Sequence, residues 1–244
     1  MDKESSGVET KEELLGFLDS SYPLLQKFRE TCPGTHKHSQ ALSAMIEGVM
    51  LALSLDPTYG KIAALYHDIG KMFNPKYFSE NQLDDDNPHD KLDPIISYNI
   101  ITRHVSDSTV ILLNEPNFPR AIIEIASQHH GTSVLKSFFN KSDSDIEDVY
   151  RYKTAKPTCV EAAILMICDR VEASSRSLIR AGKFNPSEII EGTINQLLDD
   201  GQLDSVYMRL GDLKKIKEAL AKELAGTYQK RVDYDKTKNR EDRN

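Results

Sequence analysis

The chain has 244 residues, 39% apolar and 28% charged, with 12 Gly and 10 Pro. That balance excludes collagen-like, low-complexity and wholly disordered chains, and at about 150 residues per typical domain it suits one large domain. Lys and Arg total 31 against 38 Asp and Glu, a formal charge of −7, which excludes the broad cationic footprint of a nucleic-acid-polymer binder but leaves a small anionic ligand open.

The N-terminus begins Met1-Asp2-Lys3-Glu4-Ser5-Ser6, without an apolar signal region, and no run reaches the about 20 apolar residues of a bilayer span. Three cysteines, Cys32, Cys159 and Cys168, fit a reducing compartment. The expectation is a soluble, cytoplasmic chain, although an abrupt polar start equally suits the soluble part of a longer membrane protein. Residues 1–10 are expected to be loose, 11–230 to form a single domain, and 231–244 to be a loose, charged tail.

Almost every periodic segment repeats at helical spacing, so the fold is expected to be all-α. Leu42, Met45, Ile46, Val49, Met50 and Leu53 form one helical stripe, ended by Asp56-Pro57. Ile62, Leu65, Tyr66 and Ile69 form the next, stopping near Gly70. A polar loop from Asn74 to Lys91 leads to Asp93-Pro94, an N-cap followed by proline, and to a helix whose inner face is read as Ile96, Ile100 and Ile101. Pro119 opens a helix carrying Ile122, Ile123, Ile125 and Ala126. Lys136 to Lys156 reads as a surface excursion. Thr158 and Glu161 read as a capping box for a helix through Ile164, Leu165 and Cys168. Asn185-Pro186 starts another, and Leu213, Ile216, Leu220 and Leu224 mark the last.

All seven histidines lie between positions 36 and 130, most of them on or beside these apolar stripes. His38, His104 and His129 extend stripes by a turn, His67-Asp68 end one, His130 adjoins His129, and Asp169 falls inside one. A lone histidine on an apolar face is usually a hydrogen-bonded core residue. A buried carboxylate is different, because it costs several kcal/mol unless paired or metal-bound. Five helices offering imidazole or carboxylate to one interior point to a shared cation. Nitrogen and oxygen donors without thiolate favour two ions of the Mn or Fe type, with Zn possible. The candidate ligands are His38, His67, Asp68, His104, His129, His130 and Asp169. Cys159 and Cys168 read as packing residues.

His67-Asp68-Ile69-Gly70-Lys71, preceded by His38 and followed far downstream by Asp169, resembles the HD-domain metallophosphohydrolase superfamily. The match narrows with Pro33-Gly34-Thr35-His36-Lys37-His38-Ser39, Glu80-Asn81-Gln82, Asn87-Pro88-His89-Asp90-Lys91-Leu92 and Gln128-His129-His130-Gly131-Thr132-Ser133. With Lys156-Pro157, Glu161-Ala162-Ala163, Asp169-Arg170-Val171-Glu172-Ala173 and Asp200-Gly201-Gln202, these motifs resemble the cytoplasmic HD domain of the seven-transmembrane HD phosphodiesterases, from about Leu14 to Tyr234. The resemblance implies a helical domain whose dinuclear centre opens cyclic di-AMP to a linear dinucleotide with a metal-activated water. It implies that His38, His67 and Asp169 hold one ion, that His104, His129 and His130 hold the other, and that Asp68 bridges. Lys37 and His36 depart from the usual pattern; the inward stripe favours His38 over His36 as the ligand. His89 lies off any stripe.

Lys71 is the candidate transition-state stabiliser beside Asp68, and Thr132, Ser133, Tyr152, Lys156 and Arg176 are the candidate substrate contacts. The resemblance also suggests a membrane-embedded half upstream. Other readings are hydrolysis of a dNTP, Ap4A or cyclic di-GMP, a di-iron oxygenase, or a nucleotide sensor without catalysis. Gly131-Thr132-Ser133 after the histidine pair departs from the cyclic di-GMP branch.

Overall fold

The computed structural model describes residues 10–82 and 87–241, with side chains described through Gly226 apart from Arg180. The expected loose N-terminus thus lies almost wholly outside the described residues. Among those described there are ten α-helices and no strand, in accord with the all-α expectation; the sole β feature is an isolated antiparallel bridge between Val134 and Arg151. No described helix is long and apolar enough to cross a membrane.

The helices are α1 Lys11–Gly16, α2 Pro23–Thr31, α3 Pro33–Ala52, α4 Thr58–Tyr66, α5 Pro94–Leu113, α6 Arg120–Ser127, α7 Lys136–Phe139, α8 Val160–Arg180, α9 Pro186–Asp199 and α10 Leu210–Glu241. Helix α8 is the axis of the molecule. Its residues Ala162 to Asp169 are buried without interruption, the signature of a helix surrounded on all sides. Helices α3, α4, α6 and α9 pack on it, α10 closes over α3 and α9, and α5 lies against α6 and the 3₁₀ turn Ile69–Phe73. The stripes of α3, α4, α6 and α10 enter the core as expected.

Three local expectations are corrected. The inner face of α5 is Ser97, Tyr98, His104, Val105, Ser108 and Leu112, while Ile96 is 48% exposed; where α5 meets the turn at Gly70 it presents a small residue, Ser108, whose Oγ accepts from the Gly70 N–H. Thr158 does not cap α8, whose N-cap is Cys159 without a side-chain hydrogen bond. Instead the Thr158 backbone N–H donates to Gln128 Oε1 at 2.9 Å, tying the start of α8 to the end of α6. The excursion 136–156 is anchored rather than superficial, since Tyr150 and Tyr152 are buried. The backbone of α10 is helical to Glu241.

Candidate metal centre

Three histidines are aimed by one device. His67 Nδ1 lies 2.7 Å from the carbonyl of Ala64, His104 Nδ1 2.6 Å from that of Ile101, and His129 Nδ1 2.6 Å from that of Ala126. A carbonyl only accepts, so each Nδ1 carries the proton and each Nε2 presents a lone pair. Those lone pairs face one another. His104 Nε2 and His129 Nε2 are 3.3 Å apart, and Asp68 Oδ1 lies 3.1 Å from the first and 3.7 Å from the second. His67 Nε2 stands 3.1 Å from Asp68 Oδ2. Asp68 Oδ1 and His67 Nε2 are buried without a hydrogen-bond partner.

A donor reaches only Asp68 Oδ2, from Lys71 Nζ at 2.7 Å. Burial raises the Asp68 carboxyl, but His67 and Lys71 beside it prevail and hold it well below the usual carboxylate range. Burial and the neighbouring His67 push the His129 imidazole down to about 3, against the attraction of Asp68, and burial likewise lowers His130. Imidazole lone pairs converging with an Asp68 Oδ1 that no donor reaches form a cation site, because each such acceptor otherwise loses its hydration for nothing.

His38 completes the other side. Its Nε2 lies 3.0 Å from Asp169 Oδ1 and its Nδ1 2.8 Å from Glu172 Oε2. Burial opposes its charge, yet the two carboxylates lift it to about 10. Asp169 Oδ1 is also 3.9 Å from His67 Nε2. One group of nearby ligand atoms therefore comprises His38, His67 and Asp68, and a second His104, His129 and His130. Asp68 turns one oxygen to each. These residues fit a divalent cation.

The backbone explains the convergence. Gly70 sits where α5 crosses: a Cβ there would lie 2.2 Å from the carbonyl oxygen of His104 and 2.4 Å from the Ser108 nitrogen. The Gly70 N–H donates to Ser108 Oγ at 2.8 Å, so glycine lets the His67-Asp68 corner meet the helix bearing His104. Gly131, at φ +52°, makes the turn after His130, and Gln202 clamps it by accepting from the Thr132 N–H at 3.0 Å.

A cavity of about 660 Å³ opens onto the centre at His130 and Asp169, walled by Tyr152, Arg170 and Ser133 and by Gln196 of α9. This volume falls in the roughly 300–1,000 Å³ range of small-molecule sites.

A model of the HD domain matches residues 35–174. The chain belongs to the HD domain family. It is 36% identical over 232 residues to the cyclic-di-AMP phosphodiesterase PgpH of Bacillus subtilis and 38% identical to that of Listeria monocytogenes, covering 93% of this chain and 32% of each relative. It thus spans about a third of the length of these relatives. The crystal structure of the L. monocytogenes PgpH HD domain superposes with a TM-score of 0.80 at 38% identity, over 85% of this chain and 100% of that one. A second structure of that domain, in complex with cyclic-di-AMP, superposes at 0.79.

The remaining candidates of this HD domain fall in different places. Ser133 and Tyr152 reach the cavity, Tyr152 with its ring 4.2 Å from that of His130. Thr132 is tied to Gln202, and Lys156 donates to the Gly201 carbonyl at 2.8 Å. Arg176 pairs with Glu172 at 3.3 Å and lines a separate cavity of about 470 Å³. Lys71 Nζ is shared between Asp68 Oδ2 and Glu80 Oε1, each at 2.7 Å. His36 packs edge-on against Phe28, and His89 Nε2 meets the Tyr77 carbonyl at 2.9 Å; neither joins a ligand group. Sequence reasoning gave no role to Glu80, Glu172 or Arg170. For Arg170 and Glu172 the signal was available: three ionisable residues at 169, 170 and 172 inside an otherwise apolar run of α8.

Proposed function

We propose that this HD domain is a dinuclear metal-dependent phosphodiesterase that hydrolyses cyclic di-AMP to the linear dinucleotide pApA. The observation that carries the reading is the likeness, over the neighbour's whole length, to an HD domain whose structure contains cyclic-di-AMP. Support comes from the convergence on Asp68 Oδ1, which no donor reaches, and from the cavity beside it. In this reading His38, His67 and Asp169 hold one ion, His104, His129 and His130 the other, and Asp68 joins them; the donor set favours Mn or Fe. When bound, two such ions supply Lewis acidity and a water nucleophile at neutral pH.

The chain's own groups do the rest. Lys71 holds Asp68 ionised and oriented; with its ammonium already shared by two carboxylates, it acts on the bridge rather than on the phosphate. The i−3 carbonyls fix the imidazole tautomers. Tyr152 braces His130 at the cavity wall. A cytoplasmic location, and attachment to a membrane-embedded half, belong to this proposal through the resemblance alone.

The test is incubation of Mn- or Fe-loaded protein with cyclic di-AMP, dNTPs, Ap4A and cyclic di-GMP, with products separated by chromatography. Cyclic di-AMP should yield pApA, chelator should stop the reaction, and Asp68→Ala should retain helicity with less than about 1% of the activity. Turnover of another nucleotide with cyclic di-AMP inert would refute the substrate. Oxygen uptake, or tight binding without product, would refute the reaction.

A further inference from the structure

The cavity wall holds a cation that no described residue pairs directly. Arg170 lies on α8 beside Asp169, is largely buried and lines the 660 Å³ cavity. Among the described residues its guanidinium makes no hydrogen bond and no ion pair. The two carboxylates that act on it from a distance are both engaged elsewhere: Asp169 on His38, and Asp200 on Arg151 and Gln202. The other arginine of the wall is already satisfied, since Arg151 meets Asp148, Asp200 and the Thr132 carbonyl at 2.9 Å each.

A guanidinium cannot escape burial by releasing its proton, as a lysine does. Its five donors need acceptors, and those the fold does not supply come from what enters the cavity. Position says which acceptor. One residue on from Asp169 is about 100° around the helix, so the Arg170 side chain leaves the metal-facing side. Thr193 and Gln196 of α9 line the same cavity. A cyclic dinucleotide carries two phosphodiesters, and only one is attacked at a time. The other stays an anion inside the same cavity.

We infer that Arg170 is a substrate-binding residue that takes the phosphodiester not undergoing hydrolysis, by charge-assisted hydrogen bonds from its planar fork. This rests on the proposed function and deepens it. The site thereby requires two phosphates at a fixed spacing, and it selects for a dinucleotide over a mononucleotide monoester.

The experiment compares wild type, Arg170→Met and Arg170→Lys on cyclic di-AMP and on bis(p-nitrophenyl) phosphate, which has a single phosphate. Calorimetric binding of cyclic di-AMP in chelator, where turnover stops, is measured alongside metal content. Arg170→Met should raise KM for cyclic di-AMP by about 10- to 100-fold and weaken binding in chelator by about tenfold, with bound metal retained. Its loss on bis(p-nitrophenyl) phosphate should be at least about tenfold smaller. Arg170→Lys should fall between, because it keeps the charge and loses the fork. Equal losses on both substrates, loss of metal, or binding as in wild type would overturn the inference. Failure of the wild-type protein itself to cleave or bind cyclic di-AMP would overturn the function on which it rests.

Discussion

At the scale of single residues, the centre gathers acceptors that no donor reaches, Asp68 Oδ1 and His67 Nε2 among them, and the same accounting assigns work to their neighbours. Glu172 accepts from His38 Nδ1 while Arg176 steadies Glu172, the carboxylate–histidine pairing that fixes a ligand's tautomer. Glu172→Ala should weaken metal binding by about 10- to 100-fold, measured by competition with a chromogenic chelator, and Glu172→Gln should recover part of it through its amide oxygen. A purely structural glutamate would lower stability without this graded metal effect. Lys71 gives a second case. Lys71→Met leaves Asp68 and Glu80 facing each other uncompensated, so the metal-free protein should lose about 3–5 kcal/mol in urea unfolding. With metal present the loss should shrink, because the cation neutralises Asp68 in its place. The ligand types were legible in the sequence because imidazole and carboxylate on apolar stripes are costly exceptions. The role of Lys71 was not, since spacing put it near Asp68 without revealing that Glu80, nine residues on, takes the other side of its ammonium.

At the scale of elements, period and punctuation disclosed most helices: Asp93-Pro94, Pro119 and Asn185-Pro186 all stand at helix starts. Which face turns inward was less legible where two elements nearly touch. On α5 the close crossing at Gly70 demands a small residue, so Ser108 goes in, while Ile96 stays out against hydrophobic weight. Thr158 likewise satisfies Gln128 across 30 residues rather than its own helix end, a partner no local pattern names. The crossing yields a prediction. In Gly70→Ala the new methyl would meet backbone atoms of α5, which retreat only if the helix moves; stability should fall by about 1–3 kcal/mol or more, and metal affinity should fall as His104 leaves Asp68. Gly192→Ala in α9, where a Cβ meets open space, should stabilise by about 0.5–1 kcal/mol and leave metal binding alone. Equal behaviour of the two variants in thermal melts would count against close packing at Gly70 as the reason His104 reaches the centre.

At the scale of the whole molecule, the centre is where five helices meet, and it joins parts of the chain far apart in sequence: His38 and Asp169 are 131 residues apart and in contact. The convergence was legible only as an energetic necessity, because periodicity places a side chain on a face but says nothing of how faces cross. A cation at this meeting point acts as a cross-link between α3, α4, α5, α6 and α8, so metal and fold are linked thermodynamically. Binding at about 100-fold above Kd stabilises by about 2.7 kcal/mol per site. For a chain of this size each kcal/mol moves Tm by about 2–4 °C. Chelation should therefore lower Tm by about 5–10 °C if one site is filled and by about twice that if both are, in calorimetry of the protein before and after EDTA. Asp68→Ala, which removes the group shared by both ligand sets, should abolish most of the difference. A melt indifferent to chelator and to added Mn or Fe would mean that the imidazoles and carboxylates satisfy one another, and the lone pairs facing across 3.3 Å between His104 and His129 would then have no account.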